Sequence, residues 1–293
     1  MIRRRPPTIL PLLLLGCLIA CWFAPAAHAE SRTNNPYWTA PAATVDALKT
    51  DTIINAIFYL TVGIFVVVQA VYTYYLIRYR RRPGHKAHYI HGNNKAELIW
   101  TATPTVVFLS LAIWGDSVWK DMTSTPAPVD AIEVEVVGYQ FAWDLRYAGA
   151  DGKLDEIDIE KMGGVENKFG LSRADWAESD DFSSTEMVIP VGKPVHVILR
   201  SRDVIHSFYV PEFRLYQDAV PGRTIDWMWF VTIREGTFAL ACSQLCGTGH
   251  YNMQAPIRVV SQAEYDDWSA RKMKSRAEEL KAAKDATKVA AAR

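Results

Sequence analysis

Cys242-Ser-Gln-Leu-Cys246-Gly-Thr-Gly-His250-Tyr-Asn-Met253 places two thiols, an imidazole and a thioether within twelve residues, at successive spacings of four, four and three. Soft donors of this kind select copper, zinc or iron–sulfur centres over magnesium or calcium. A structural zinc site has no need of a thioether, whereas a copper electron-transfer site uses a weak axial methionine. A mononuclear copper of that type takes one cysteine and two histidines. Two cysteines can instead bridge two metal ions with paired thiolates. The stretch also bears on the fold, because strand-like runs at 236–241 and 256–260 flank it. A rigid β scaffold is the usual support for such a functional loop.

The donor set needs a second histidine from elsewhere. His206, in Asp203-Val-Ile-His206-Ser-Phe-Tyr-Val-Pro211, sits in a strand-like run 36 positions before Cys242. The other histidines fit less well. His85, His88 and His91 lie among arginines, His28 sits in an N-terminal leader, and His196 alternates with Val195 and Val197 as the polar face of a strand.

Working outward from the loop, the pattern of period two begins at Ala131. Ile132, Val134 and Val136 alternate with Glu133 and Glu135, the signature of a half-buried strand. Further strand-like runs at 139–147, 187–190, 194–200 and 224–231 are separated by turn signals such as Pro190-Val-Gly192 and Pro221-Gly222. Together these predict an all-β sandwich or barrel over residues 120–260. Within it, residues 151–186 carry 11 acids and 4 bases. An acidic insertion over about 148–186 is either a solvated excursion or a negative dock that steers a basic partner. Asp203 would extend the same face. Ser261-Gln-Ala-Glu264 is a capping box that opens a helical tail over 261–293.

The N-terminal part reads differently. Residues 1–29 have a basic start (Arg3, Arg4, Arg5), an apolar core and an Ala27-His28-Ala29 end, as in a cleaved secretory leader. Two lipobox-like stretches end at Cys17 and Cys21, so acylation of either cysteine is the alternative. Residues 30–50 are a short polar segment. Residues 52–77 then run without a formal charge, and so do 98–115. Each run is long enough to cross ~30 Å of hydrocarbon as a helix. The predicted hairpin occupies 51–119, with spans at about 52–77 and 97–115 and a linker from 116 to 130. Arg78, Arg80, Arg81, Arg82, Lys86 and Lys95 between the spans put that loop in the cytoplasm and both ends of the hairpin outside. Glu97, at the inner start of the second span, suits the positive end of a helix dipole.

Composition limits the functions available. The 293 residues carry 32 basic and 32 acidic side chains, so nothing favours a nucleic-acid partner. Four cysteines, at 17, 21, 242 and 246, do not make a disulfide scaffold.

Cys-x-x-x-Cys-x-x-x-His-x-x-Met with the upstream Asp-Val-Ile-His-Ser, and Asp218-Ala-Val-Pro-Gly-Arg223 between them, resembles subunit II of the haem–copper cytochrome c oxidases. The resemblance spans about residues 45–260, apart from 148–186. It implies a cupredoxin-like Greek-key sandwich anchored by a two-helix transmembrane hairpin in a bacterial-type inner membrane, with the sandwich on the periplasmic side. It implies a dinuclear copper centre, CuA, held by His206, Cys242, Cys246, His250, Met253 and the backbone carbonyl of Gln244. The implied role is to take electrons from cytochrome c or a similar donor and pass them to the haems of subunit I. Oxygen is reduced there, coupled to proton translocation, with subunit III as a further partner. Glu97-Leu-Ile-Trp100-Thr matches the segment whose glutamate stands at the mouth of a proton pathway. Gly138-Tyr-Gln-Phe141-Ala-Trp143-Asp-Leu-Arg-Tyr147 matches the aromatic stretch beside the copper loop. Phe141 stands where the family's electron-accepting tryptophan is usual, and Trp143 keeps the next one. Gln244 replaces a glutamate whose side chain helps hold magnesium against subunit I, which puts that magnesium in doubt. A quinol oxidase subunit would lack these ligands. Nitrous oxide reductase would need a large second domain, and a copper-delivery protein would bind copper reversibly.

Overall fold

The computed structural model describes residues 40–86, 88–162, 167–171, 176 and 178–291. The expected leader, with Cys17 and Cys21, lies outside these residues.

Two long helices come first. Thr44 caps α1 (Val45–Arg78) by accepting the Ala47 N–H, and Asn93 caps α2 (Asn94–Thr123) by accepting the N–H groups of Lys95 and Ala96. Both are long and apolar enough to cross a membrane. α2 runs continuously through Pro104 and buries none of its residues within the chain. An apolar helix with no buried stripe needs lipid or another protein around it. The helices overrun the charge-free stretches. Residues 45–50 and 116–123, expected as polar segment and linker, are helical. Ion pairs Lys49–Asp46 and Lys120–Asp116 keep the helical spacing there, and the first proline after α2 is Pro126. These extensions dock on the β domain. Thr44 Oγ1 donates to the Phe213 carbonyl (3.1 Å), the Arg214 guanidinium holds Asp51 (2.9 and 3.1 Å), and Trp229 Nε1 donates to the Thr125 carbonyl (2.8 Å).

Ten strands follow in two sheets. They are β1 (Ile132–Tyr139), β2 (Ala142–Tyr147), β3 (Phe182–Ser184), β4 (Met187–Pro190), β5 (Pro194–Ser201), β6 (His206–Val210), β7 (Leu215–Ala219), β8 (Ile225–Val231), β9 (Gly236–Cys242) and β10 (Gln254–Val260). One sheet has the order β3-β2-β1-β5-β8 and the other β4-β10-β9-β6-β7. Pairs β1–β5 and β4–β10 are parallel; the other pairs are antiparallel. Val134, Val136, Leu145, Val197, Leu199, Phe208, Phe230, Leu240 and Ile257 fill the space between them. This is the expected pair of apolar helices followed by a sandwich.

Two details differ from expectation. The run 139–147 is not one strand. β1 ends at Tyr139, Gln140 and Phe141 form a two-residue turn, and β2 returns from Ala142, opposite Tyr139. Glu135 does not face water either. It is fully buried because the insertion folds back over Arg146 on the outer face of β1 and β2 and buries its own Phe169 and Leu171 there. The carboxylate of Glu135 is held by Arg146, its cross-strand partner, and by Arg200. A last helix, α3 (Gln262–Ala291), starts at the expected box, where Ser261 Oγ accepts the Glu264 N–H at 3.2 Å. Trp268 anchors it against Tyr147 and Phe182, with ring centroids 5.1 and 5.7 Å apart.

Candidate metal centre

The residues of the twelve-residue loop meet because β9 and β10 are neighbours. Cys242 ends β9, Gln254 opens β10, and Cys242 N donates to the Met253 carbonyl (3.1 Å), tying the two ends of the loop. β6 lies on the other side of β9, with Phe208 opposite Cys242, so His206 at the start of β6 reaches the same place. Ser243 N donates to the Ser207 carbonyl (3.3 Å). Two glycines let the loop pack on the β1–β2 turn. Gly247 has φ +141°, and a side chain on Gly249 would run into the Phe141 ring.

Cys242 Sγ lies 3.8 Å from His206 Nδ1, 3.2 Å from the Gln244 carbonyl oxygen and 3.9 Å from Cys246 Sγ. Cys246 Sγ lies 3.6 Å from His250 Nδ1 and 3.8 Å from Met253 Sδ. His206, both cysteines and Met253 are buried. The sulfurs are too far apart for a disulfide, whose S–S length is about 2.05 Å. They suit a shared metal: an ion with ~2.3 Å bonds in tetrahedral geometry holds its ligands about 3.8 Å apart. By the chemistry and spacing of its donors, the set fits copper.

Electrostatics orient the ligands. His206 Nε2 is 2.7 Å from Asp203 Oδ1, which assigns the ring proton to Nε2 and leaves the Nδ1 lone pair facing Cys242. Partial burial works to raise the Asp203 carboxyl. Hydrogen bonds from Gln140 N–H, the His206 ring and Val204 N–H outweigh it and hold the group below the usual carboxylate range. Burial, with the neighbouring Cys242 thiol, pushes the Cys246 thiol up to about 11. Metal binding must therefore displace a proton from it.

Asp203 was expected on an acidic docking face. It is exposed, and its carboxylate also accepts from the His206 ring and from Gln140 N (2.7 Å each). Gln140 was not anticipated. Its side chain donates to the Cys246 carbonyl at 2.5 Å, so one residue braces the metal loop with its side chain and the Asp203–His206 pair with its backbone. Trp143 is buried behind the site, its ring centroid 6.1 Å from that of His206, while Phe141 is half-buried against the loop glycines. Glu97 is exposed in the first turn of α2, about 39 Å along the helix from its end at Thr123. The acidic insertion leaves β2 at Tyr147, about 20 Å along that strand from Phe141. The surface beside the donors is apolar: Leu245 is 79% exposed and Tyr251 84%, with Val204 and Ile205 also exposed.

Known proteins match this chain over both parts. The family model for the periplasmic domain of cytochrome c oxidase subunit II matches residues 132–261, and that for its transmembrane domain matches 33–116. The alternative cytochrome c oxidase subunit 2 of Bradyrhizobium diazoefficiens is 38% identical over 237 residues, which is 80% of this chain and 83% of that protein. Cytochrome c oxidase subunit 2 of Cereibacter sphaeroides is 33% identical over 219 residues, 71% of this chain and 70% of that one. Among solved structures, the periplasmic domain of subunit II of cytochrome oxidase from Bradyrhizobium japonicum is 30% identical. It covers 51% of this chain and 98% of its own, with a TM-score of 0.38.

Proposed function

The chain belongs to the cytochrome c oxidase subunit II family, as a membrane protein with its sandwich on the outer side, and we propose that it is the electron-accepting subunit of a proton-translocating terminal oxidase. His206, Cys242, Cys246, His250, Met253 and the Gln244 carbonyl would hold two copper ions, which when bound supply a one-electron acceptor whose charge is shared between them. The observation that carries this reading is the buried pair of free thiols, 3.9 Å apart, with an imidazole whose Nδ1 faces them. Asp203 holds the His206 ring in place, and Gln140 holds Cys246, so the ligands move little when the charge changes. Trp143 and Phe141 line the way from the surface to His206. Copper content and paramagnetic resonance test the reading together. Two coppers per chain sharing one unpaired electron would support it; one reversibly bound copper would mark a delivery protein.

The donor, cytochrome c or a similar protein, would meet the apolar rim of Leu245, Tyr251 and Ile205. The exposed acids of the insertion, such as Asp151, Glu156 and Glu178, would attract it from a distance. Donor oxidation is then expected to slow as salt rises. A rate independent of ionic strength would leave only the apolar contact.

Glu97 would collect protons at the inner mouth of a pathway into subunit I. Glu97→Ala is expected to slow turnover of the oxidase with an unchanged copper spectrum. Full turnover in the variant would return Glu97 to the role of a helix-start acid.

Gln244 would keep its carbonyl on copper, but its neutral amide is a poor partner for magnesium, which prefers carboxylates and water. In cells grown with excess manganese, little should bind at the junction with subunit I. Gln244→Glu should raise that amount without altering the copper spectrum. Stoichiometric manganese in the unmodified complex would mean that subunit I supplies enough ligands alone.

A further inference from the structure

The acidic insertion contains a second group of ligands, outside the copper site. Asp155, Asp180 and Asp181 each offer a carboxylate oxygen within 4.8 Å of the other two. Asp181 is fully buried. Its Oδ2 accepts from Arg146 Nη1 (2.5 Å) and from Asp155 N (3.1 Å). Its Oδ1 is buried with no hydrogen-bond partner. An anionic oxygen left in that state is costly, and buried charges are normally paired or bound to metal. Asp180 Oδ2 accepts the N–H groups of Ala150 (2.7 Å) and Asp151 (3.3 Å), which folds the start of the insertion around the group. Any side chain at Gly149 would collide with the Asp180 carboxylate.

The charges nearby do not balance. Arg146 and Arg200 offset Glu135 and Asp181. Among the described residues, Asp155 and Asp180 form no ion pair, so two negative charges remain beside the unpaired Oδ1. That is the charge of one divalent ion. Burial and the nearby Asp155 push the Asp181 carboxyl up, a strain that a bound cation would relieve.

We propose that Asp155, Asp180 and Asp181 bind one divalent cation of the calcium type, fastening the acidic insertion to the edge of the sheet at β2 and β3. All-oxygen ligands suit a hard cation, and calcium takes about 6–8 oxygens at ~2.3–2.6 Å in a flexible geometry that admits a cluster of carboxylates with water. Magnesium demands near-ideal octahedral geometry and gives up its water reluctantly, so it suits an all-carboxylate group of this kind less well. Water completes the coordination.

The test uses the full chain, copper-loaded and in detergent, after removal of calcium with a calcium-selective chelator. Calorimetric titration with calcium chloride is expected to show one saturable site. Added calcium should raise the unfolding temperature by several degrees without changing the copper spectrum. Asp180→Asn is expected to weaken binding at least tenfold. Asp155→Asn, at an exposed position, should do the same if the first variant does not fold. Absence of saturable calcium binding in the folded, unmodified chain would overturn the proposal, as would binding that survives in both variants. An equal response to magnesium would overturn the calcium-type assignment.

Discussion

Cys246→Ser is expected to abolish the dinuclear copper spectrum and reduce donor oxidation to background, while the sandwich remains folded. Cys246 Sγ has close donors on every side: Cys242 Sγ at 3.9 Å, His250 Nδ1 at 3.6 Å and Met253 Sδ at 3.8 Å. A bridge needs both thiolates, and a serine hydroxyl is a hard donor that keeps its proton at neutral pH. The fold should tolerate the change, because serine is close to cysteine in volume. The bracing contact from Gln140 also reaches the backbone carbonyl of Cys246, not its sulfur. Met253→Leu is the contrast. The thioether is a weak ligand, so this variant should keep most of its copper and shift its potential. Copper per chain, the paramagnetic spectrum and the melting temperature separate the two. Two coppers and an unaltered spectrum in Cys246→Ser would show that the thiolates do not share the metal. Loss of all copper in Met253→Leu would make the thioether a structural ligand.

The donors were legible because their order is local. A loop of twelve residues carries its spacing in the sequence, and His206 lies in a short run whose strand character is plain. The braces were not. Gln140 acts on a residue 106 positions away, and its N–H meets Asp203 63 positions away, so no local pattern announces either contact. The same limit explains the strands that were missed. β3 has three residues, too few to show a period, and β7 follows the left-handed turn at Arg214, inside a run with no clear alternation. Glu135 alternates as a surface residue should, yet a distant insertion covers it. Charge-free runs located both apolar helices but not their ends, because helix formation continues through ion-paired polar turns that dock on the sandwich. Leu245 and Tyr251 are apolar letters in a loop. Only the fold shows that they face outward beside the metal ligands.

Arg146→Leu is expected to destabilise the sandwich by about 3–5 kcal/mol, the usual cost of removing one partner from a buried ion network. For a domain of this size that corresponds to a fall of roughly 10 °C in melting temperature. The guanidinium joins Glu135 on β1 to Asp181 beside β3, and donates to the Asp155 carbonyl at 3.1 Å. Arg146, Glu135 and Asp181 are all buried. Without the guanidinium, Asp181 keeps only the Asp155 N–H, and Glu135 keeps only Arg200. The loss should depend on pH in a defined direction. Burial already holds the Asp181 carboxyl above its usual range. Removing a neighbouring positive charge raises it further, so in the variant the folded state binds this proton more tightly than the unfolded chain does. A group of that kind contributes stability that is fully present below its unfolded value and is lost as pH rises through its folded value. The gap between variant and unmodified protein should therefore be widest near neutral pH and narrow as pH falls toward the carboxylate range. Melting curves across that range test this. A gap that stays constant with pH would mean that the cost comes from lost packing against Phe169, whose ring centroid lies 5.7 Å from the guanidinium, and not from stranded charge.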